Sequence, residues 1–276
     1  MSGRGIRMAV VGWMVVPAAA FVVGCAPGPA PTERPGCAID VEPNPAPAAP
    51  AMPPPPPAPH WHAITELVRV DRASKVVELD AVAVLETGFL EQLVCGVGTR
   101  EHESLFAFAG KPSEIHAALL LAGLEPGAPG GWRERPKPDG SIEVEEFVPT
   151  GARLRIEVVL PDGATRPIEW FTRASPLVDR PASAPEPVLA HSFVFSGSRF
   201  IQNRRTGGER YAADASGSIV GLVTFGDETI GYADVMSPSA DVEPQIWEAW
   251  SERMPKPGTQ VRIRIGPAGD GASRDR

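Results

Sequence analysis

The chain has 276 residues, 32 of them proline and 28 glycine, with an ordinary 43% of apolar residues, so it can build a core only if the proline is segregated. A net charge of −8 argues against a phosphate-backbone partner, and no nucleic acid is expected. Three cysteines are too few for a disulfide framework or a four-thiolate zinc or iron–sulfur site, and no cofactor is implied.

Residues 1–24 read as a lipoprotein signal peptide. Arg4 and Arg7 precede an apolar run from Met8 to Val23, shorter than the ~20 residues that comfortably span a bilayer. Val22-Val23-Gly24-Cys25 resembles the bacterial lipobox, which implies diacylation of the Cys25 thiol and cleavage of the peptide bond before it. An ordinary signal peptide and an uncleaved anchor are the alternatives. Losing Arg4 and Arg7 leaves 24 basic residues against 34 acidic, a net charge of −10. Ala26, where an Asp would favour retention, points to outer-membrane delivery. The expected location is the bacterial cell envelope, with the membrane as partner through lipid on Cys25.

Residues 25–59 form the next unit. Ala26 to Pro59 holds 14 prolines in 34 residues, including Pro53 to Pro57. Such a segment lacks backbone donors and apolar mass, and is expected to sample polyproline II as a disordered stalk. At ~3.1 Å per residue it reaches up to ~100 Å. A ligand for a proline-binding domain is the rival reading.

From His60 to Pro267 the composition is globular. Ile64–Val70 is expected to pair with Lys75–Leu85 through Arg72-Ala73-Ser74, the second strand running from an exposed rim to a covered centre. Phe89–Val94, Leu105–Phe108 and Ile142–Val148 follow as strands. Leu154, Ile156, Val158 and Leu160 alternate with charged residues and stop at Pro161-Asp162-Gly163. Ile168–Phe171, Ser192–Phe195, Ile219–Phe225 and Val261–Ile265 complete the strands, with a Gly226-Asp227 hairpin leading to Ile230.

Two helices are expected. Pro112 suits a first helical turn and Ile115–Leu124 is apolar on nearly every face, as in a buried partner of a sheet. The second runs from Pro244 to Met254. The fold class is therefore α+β, mainly antiparallel sheet with two short helices. Leu177–Pro187, with three prolines, is a possible divide between two lobes, and residues 268–276 read as a disordered tail.

Glu86 to His116 gathers the reactive side chains. Cys95 with His102 or His116 as base gives a thiol nucleophile; the same three side chains give a metal site, though spacings of 7 and 14 residues match no ligand motif. A buried inert cysteine and a packed helical histidine are the plain alternatives. Alternation puts His102 and Ser104 on one strand face, opposite Glu101 and Glu103. No G-x-S-x-G elbow or phosphate-binding glycine motif occurs. Arg199, Arg204, Arg205 and Arg210 form a basic loop, read as solvated or as an anion contact. After lipidation the remaining thiols are Cys37 and Cys95, and their pairing depends on whether Cys95 is exposed.

Glu86-Thr87-Gly88, Cys95-Gly96, His102-Glu103-Ser104-Leu105 and Ile115-His116-Ala117-Ala118-Leu119-Leu120 with Gly123 and Pro126-Gly127 resemble the YdjY-domain family of bacterial envelope proteins. Phe195-Ser196-Gly197-Ser198, Tyr211-Ala212-Ala213-Asp214 and Trp247 resemble its carboxy half. The resemblance implies secreted or lipid-anchored proteins and lends no catalytic position. Glu86, Cys95, His102, Glu103 and His116 are the candidate binding cluster, expected to converge by local packing. The leading functional expectation is a non-catalytic module that binds an envelope protein, glycan or small ligand. The alternative is a thiol- or metal-dependent hydrolase using Cys95, His102 and His116.

Overall fold

A computed structural model describes residues 28, 59–176, 187–203, 205, 207–233, 236 and 246–269. The signal-like segment, Cys25, Cys37, Arg204 and nearly all of the proline-rich segment lie outside the described residues, as do residues 177–186.

In chain order the strands are β1 (His62–Ala63), β2 (Val68–Asp71), β3 (Val76–Ala83), β4 (Gln92–Gly96) and β5 (Ser104–Phe108). Helix α1 (Pro112–Leu121) precedes β6 (Gly131–Pro136), β7 (Ile142–Phe147), β8 (Arg153–Val159), β9 (Thr165–Pro167) and β10 (Thr172–Ala174). Then come β11 (Phe193–Val194), β12 (Phe200–Gln202), β13 (Glu209–Tyr211), α2 (Ala212–Ser216), β14 (Ser218–Gly221), β15 (Gly231–Tyr232), β16 (Trp247–Ala249) and β17 (Gln260–Pro267). Among the described residues β-strand predominates, with two α-helices.

The main sheet runs β14-β4-β5-β3-β17-β8-β11-β15. It is mixed, because β4 and β5 are parallel. A bridge between Val220 and Ile230 brings its two ends together, so the sheet nearly closes on itself. Strands before and after residues 177–186 are hydrogen-bonded in this one sheet.

Alternation explains the central strands. Val77, Leu79, Ala81 and Ala83 of β3 are buried, and β17 sets Ile263 opposite Leu79 and Arg264 opposite Glu78. One face is thus an apolar core and the other a ladder of charge. Phe106, Phe108, Phe171, Phe193 and Phe195 fill the core. The β2–β3 turn forms as expected, with Asp71 accepting from the Ala73 amide at 3.0 Å and the Ser74 hydroxyl at 2.7 Å.

Helix α1 starts at Pro112 and packs on β2 and β3 through Ile115, Ala118 and Leu119. Its all-round apolarity does not mean full burial, since Leu120 and Leu121 are exposed. Four expectations are corrected. The second helix is not at 244–254: Trp247–Ala249 is a strand between β10 and the Gly88–Leu90 backbone, with Trp247 and Ala249 buried and Glu248 partly open. Ile168–Phe171 is a 3-10 turn, with Ile168, Glu169 and Phe171 all buried rather than alternating. Glu101–Glu103 is likewise a 3-10 turn, so His102 and Ser104 do not share a strand face. Val220 and Ile230 run parallel, so Gly226-Asp227 is not the bend of an antiparallel hairpin.

Candidate functional site

The five candidate residues divide between separate surroundings. Cys95 is completely buried on β4, whose register sets Val94 beside Phe106 and Cys95 beside Ala107. Strand alternation therefore puts the thiol on the face away from Val94 and Phe106. Burial pushes the thiol pKa up, opposed by hydrogen bonding from Ser104, the Arg100 backbone and Thr99. A neutral, enclosed thiol is a poor nucleophile. Cys95 is not in a disulfide.

Around the Glu101–Glu103 turn the structure assembles an acidic rim that includes two of the five. Glu103 lies 3.1 Å from Arg100 and 3.5 Å from the mostly exposed His102. Arg100 also reaches Glu91 at 3.5 Å and stacks on the Phe225 ring at 3.7 Å. Burial, with the charge and hydrogen bond of Glu103 added, raises Glu91 to a pKa of about 7. Glu91 thus titrates near neutral pH beside Glu103 and Arg100, and it is not one of the five candidate residues.

His116 belongs to a third place. Its Nδ1 is 2.9 Å from the Tyr211 hydroxyl, and its ring meets Phe195 and Tyr211 edge to face. The hydroxyl donates to the Gly197 carbonyl at 3.0 Å, which leaves its lone pair for a proton on Nδ1. Burial lowers the histidine pKa and raises that of Tyr211 to about 12, so both are neutral. Asp214 caps the same helix one turn earlier, taking the Ser113 amide and hydroxyl at 2.8 Å each. Glu86 is exposed, outside all these contacts. Among the described residues no group of three or more His, Cys, Asp or Glu could hold a metal ion.

One cleft among the described residues uses none of the five. A cleft of about 350 Å³ opens over the Ile168–Phe171 turn, bounded by Glu169, Trp170, Arg173, Leu189, His191 and Trp250. That volume lies at the lower end of the ~300–1,000 Å³ range of ligand pockets. The 3-10 turn sets Glu169 and Trp170 side by side, and the strand pair β10–β16 brings Trp250 and Arg173 to them across the sequence. Glu169 is 5% exposed; its Oε1 is 2.7 Å from His191 Nδ1, and its Oε2 is buried without a partner among the described residues. Burial raises the Glu169 pKa against the pull of its own backbone amide and of His191. Arg173 pairs with Glu248 at 3.4 Å while its Nε, also buried, lacks an acceptor. Arg253 stacks on Trp250 at 3.3 Å and near Trp170 at 4.8 Å, donating to the Trp170 carbonyl at 3.1 Å. The only local signal was a glutamate inside the apolar quartet Ile168-Glu169-Trp170-Phe171.

A nearly closed mixed sheet with one capping helix, and motif residues from both halves meeting at His116 and Tyr211, defines a single-core β-rich domain. The sequence matches the YdjY domain over residues 68–266, and the chain belongs to that family. Neither the curated proteins nor the solved structures gave a match.

Proposed function

We propose that this YdjY-domain protein is a non-catalytic binding module, tethered to the bacterial envelope by lipid on Cys25 and spaced from the membrane by its proline-rich segment. The observation that carries the binding reading is the cleft, where two indoles and a buried carboxylate with an unmet oxygen line one concave surface. The buried, neutral state of Cys95 and its separate surroundings from His116 favour binding over thiol hydrolysis. The tether rests on Arg4, Arg7, the Met8–Val23 run and Cys25.

Purified protein incubated with peptidoglycan, ester and peptide substrates is expected to give no turnover. Turnover that survives stringent purification removes the binding reading. The tether is tested separately: Cys25→Ser is expected to lose membrane fractionation or to accumulate as a slower-migrating precursor, and unchanged fractionation with unchanged mobility contradicts it.

A further inference from the structure

We propose that one face of the β12–β13 hairpin is a binding site for a phosphate group, a site that shares no residue with the cleft over Ile168–Phe171 and goes beyond the reading given above. Residues 199–213 carry four arginines and one carboxylate, Glu209, in a chain whose net charge is −8. Elsewhere Arg69, Arg100, Arg135, Arg173 and Arg264 each lie within 3.4 Å of a carboxylate oxygen. Arg199, Arg205 and Arg210 are exposed, and none of the three is ion-paired among the described residues.

Strand geometry keeps the one acid away from the bases. The register sets Ile201 opposite Arg210 and Gln202 opposite Glu209, so the first pair shares one face of the hairpin and the second pair the other. Gln202 Nε2 donates to Glu209 Oε1 at 3.4 Å and holds the carboxylate on its own side. Asn203 returns to the Arg210 face by alternation. Its Oδ1 accepts from the Arg205 amide at 3.0 Å, and its backbone amide donates to the Gly208 carbonyl at 2.7 Å, which fixes the turn that carries Arg205. Arg210 from the strand and Arg205 from the turn thus border one open concavity of about 560 Å³, with Ile201, Gln202 and Asn203 as the rest of its lining.

Donors dominate this surface. Both arginines offer forked N–H pairs to solvent, and Asn203 Nδ2 is unengaged among the described residues. A carboxylate has two oxygens in one plane, which a single guanidinium fork satisfies. A phosphate has its oxygens in a tetrahedral array, so forks arriving from the strand and from the turn are both used. A nucleotide base finds no ring here, because Phe200 lies against Tyr211 on the opposite face, their ring centroids 5.7 Å apart. The recognised unit is therefore the phosphate itself, carried by a soluble monoester or by a lipid headgroup.

The test is isothermal titration calorimetry of the purified full chain in low salt at about pH 7.5, where a phosphate monoester is close to doubly charged. The probes are glycerol phosphate, glycerophosphoglycerol (the water-soluble headgroup of an anionic lipid), the dicarboxylate malonate, and glycerol. Glycerol phosphate is expected to bind at least tenfold more tightly than malonate, and glycerol is expected not to bind. Arg205→Gln and Arg210→Gln, both at exposed positions, are each expected to weaken glycerol phosphate at least tenfold with melting unchanged. Arg72→Gln, an exposed arginine on the β2–β3 turn, is expected to leave it unaltered. Equal binding of glycerophosphoglycerol supports the site and assigns it to lipid headgroups; binding of the monoester alone supports it and assigns it to soluble phosphates. Equal affinity for malonate overturns phosphate recognition in favour of acidic groups in general, as on a peptide. Absence of saturable binding overturns the site, and so does full affinity in either glutamine variant at 205 or 210. The non-catalytic reading is judged separately, by turnover in the substrate assay.

Discussion

The Tyr211 hydroxyl lies 2.9 Å from Nδ1 of His116, joining residues 95 positions apart in the chain. Three residues further on, Asp214 holds Ser113, one helical turn before His116. Tyr211, at the start of α2, and Asp214, within it, thus grip α1 at two successive turns, and the histidine serves this grip. Tyr211→Phe leaves the Gly197 carbonyl and the imidazole without their shared partner and is expected to cost about 1–3 kcal/mol in urea unfolding. His116→Gln is expected to lower the melting temperature and leave binding at the cleft unchanged. A His116→Gln protein of normal melting temperature that no longer binds would show instead that the histidine touches ligand.

Glu91 makes stability depend on pH. Its pKa is raised to about 7 in the folded protein, above the ordinary carboxyl value of 4.5, so the folded state holds the proton more firmly than the unfolded chain. This contribution is fully present below about pH 4.5 and is lost as pH rises through about 7. Glu91→Gln is expected to flatten the decline between those values, measured as the difference in unfolding free energy between variant and parent at each pH. Parallel pH profiles for the two proteins would contradict the raised Glu91 pKa.

Glu78 is fully enclosed, with Arg69 Nε 2.6 Å from one carboxylate oxygen and Arg264 Nε 2.6 Å from the other. Removing one member of such a buried set strands the others, so Glu78→Gln is expected to cost about 3–5 kcal/mol. A loss below about 1 kcal/mol would mean that water screens the cluster in solution.

Cys95 is expected to resist alkylation in the native protein and to react once the chain is unfolded in guanidinium, because burial keeps its thiol protonated. Peptide mapping after iodoacetamide treatment at about pH 7.5 reads this directly. Rapid native labelling at Cys95 would revive the thiol-nucleophile reading.

The legible part of the fold was the part with period two. Val77-Glu78-Leu79-Asp80 and Val261-Arg262-Ile263-Arg264 carry their register in their alternation, because one face meets the core and the other meets charge. Trp247-Glu248-Ala249 was misread because the aromatic spacing at 247 and 250 also fits a helix, and only the β10 neighbour decides for strand. β6 was missed because Arg133-Glu134-Arg135 has no apolar face to reveal; it pairs with β7 through a backbone ladder, with exposed ion pairs such as Arg135–Glu145 at 2.7 Å beside it. The site was less legible still. His102 and Glu103 do meet, but Glu91 joins them through sheet geometry, and the Glu169–Trp250 cleft depends on residues 81 apart that no local pattern links.

β17 is hydrogen-bonded to β3 on one side and to β8 on the other, so a strand that follows both in the chain occupies the middle of the main sheet. Until Gln260–Pro267 has emerged, β3 and β8 have no shared neighbour and the sheet exists as two parts with open edges. Pairings of such long sequence separation form slowly. Joining the two parts of the main sheet therefore depends on β17 taking its place between β3 and β8. A truncation just before Gln260 would therefore leave β14-β4-β5-β3 and β8-β11-β15 as two sheets with open edges.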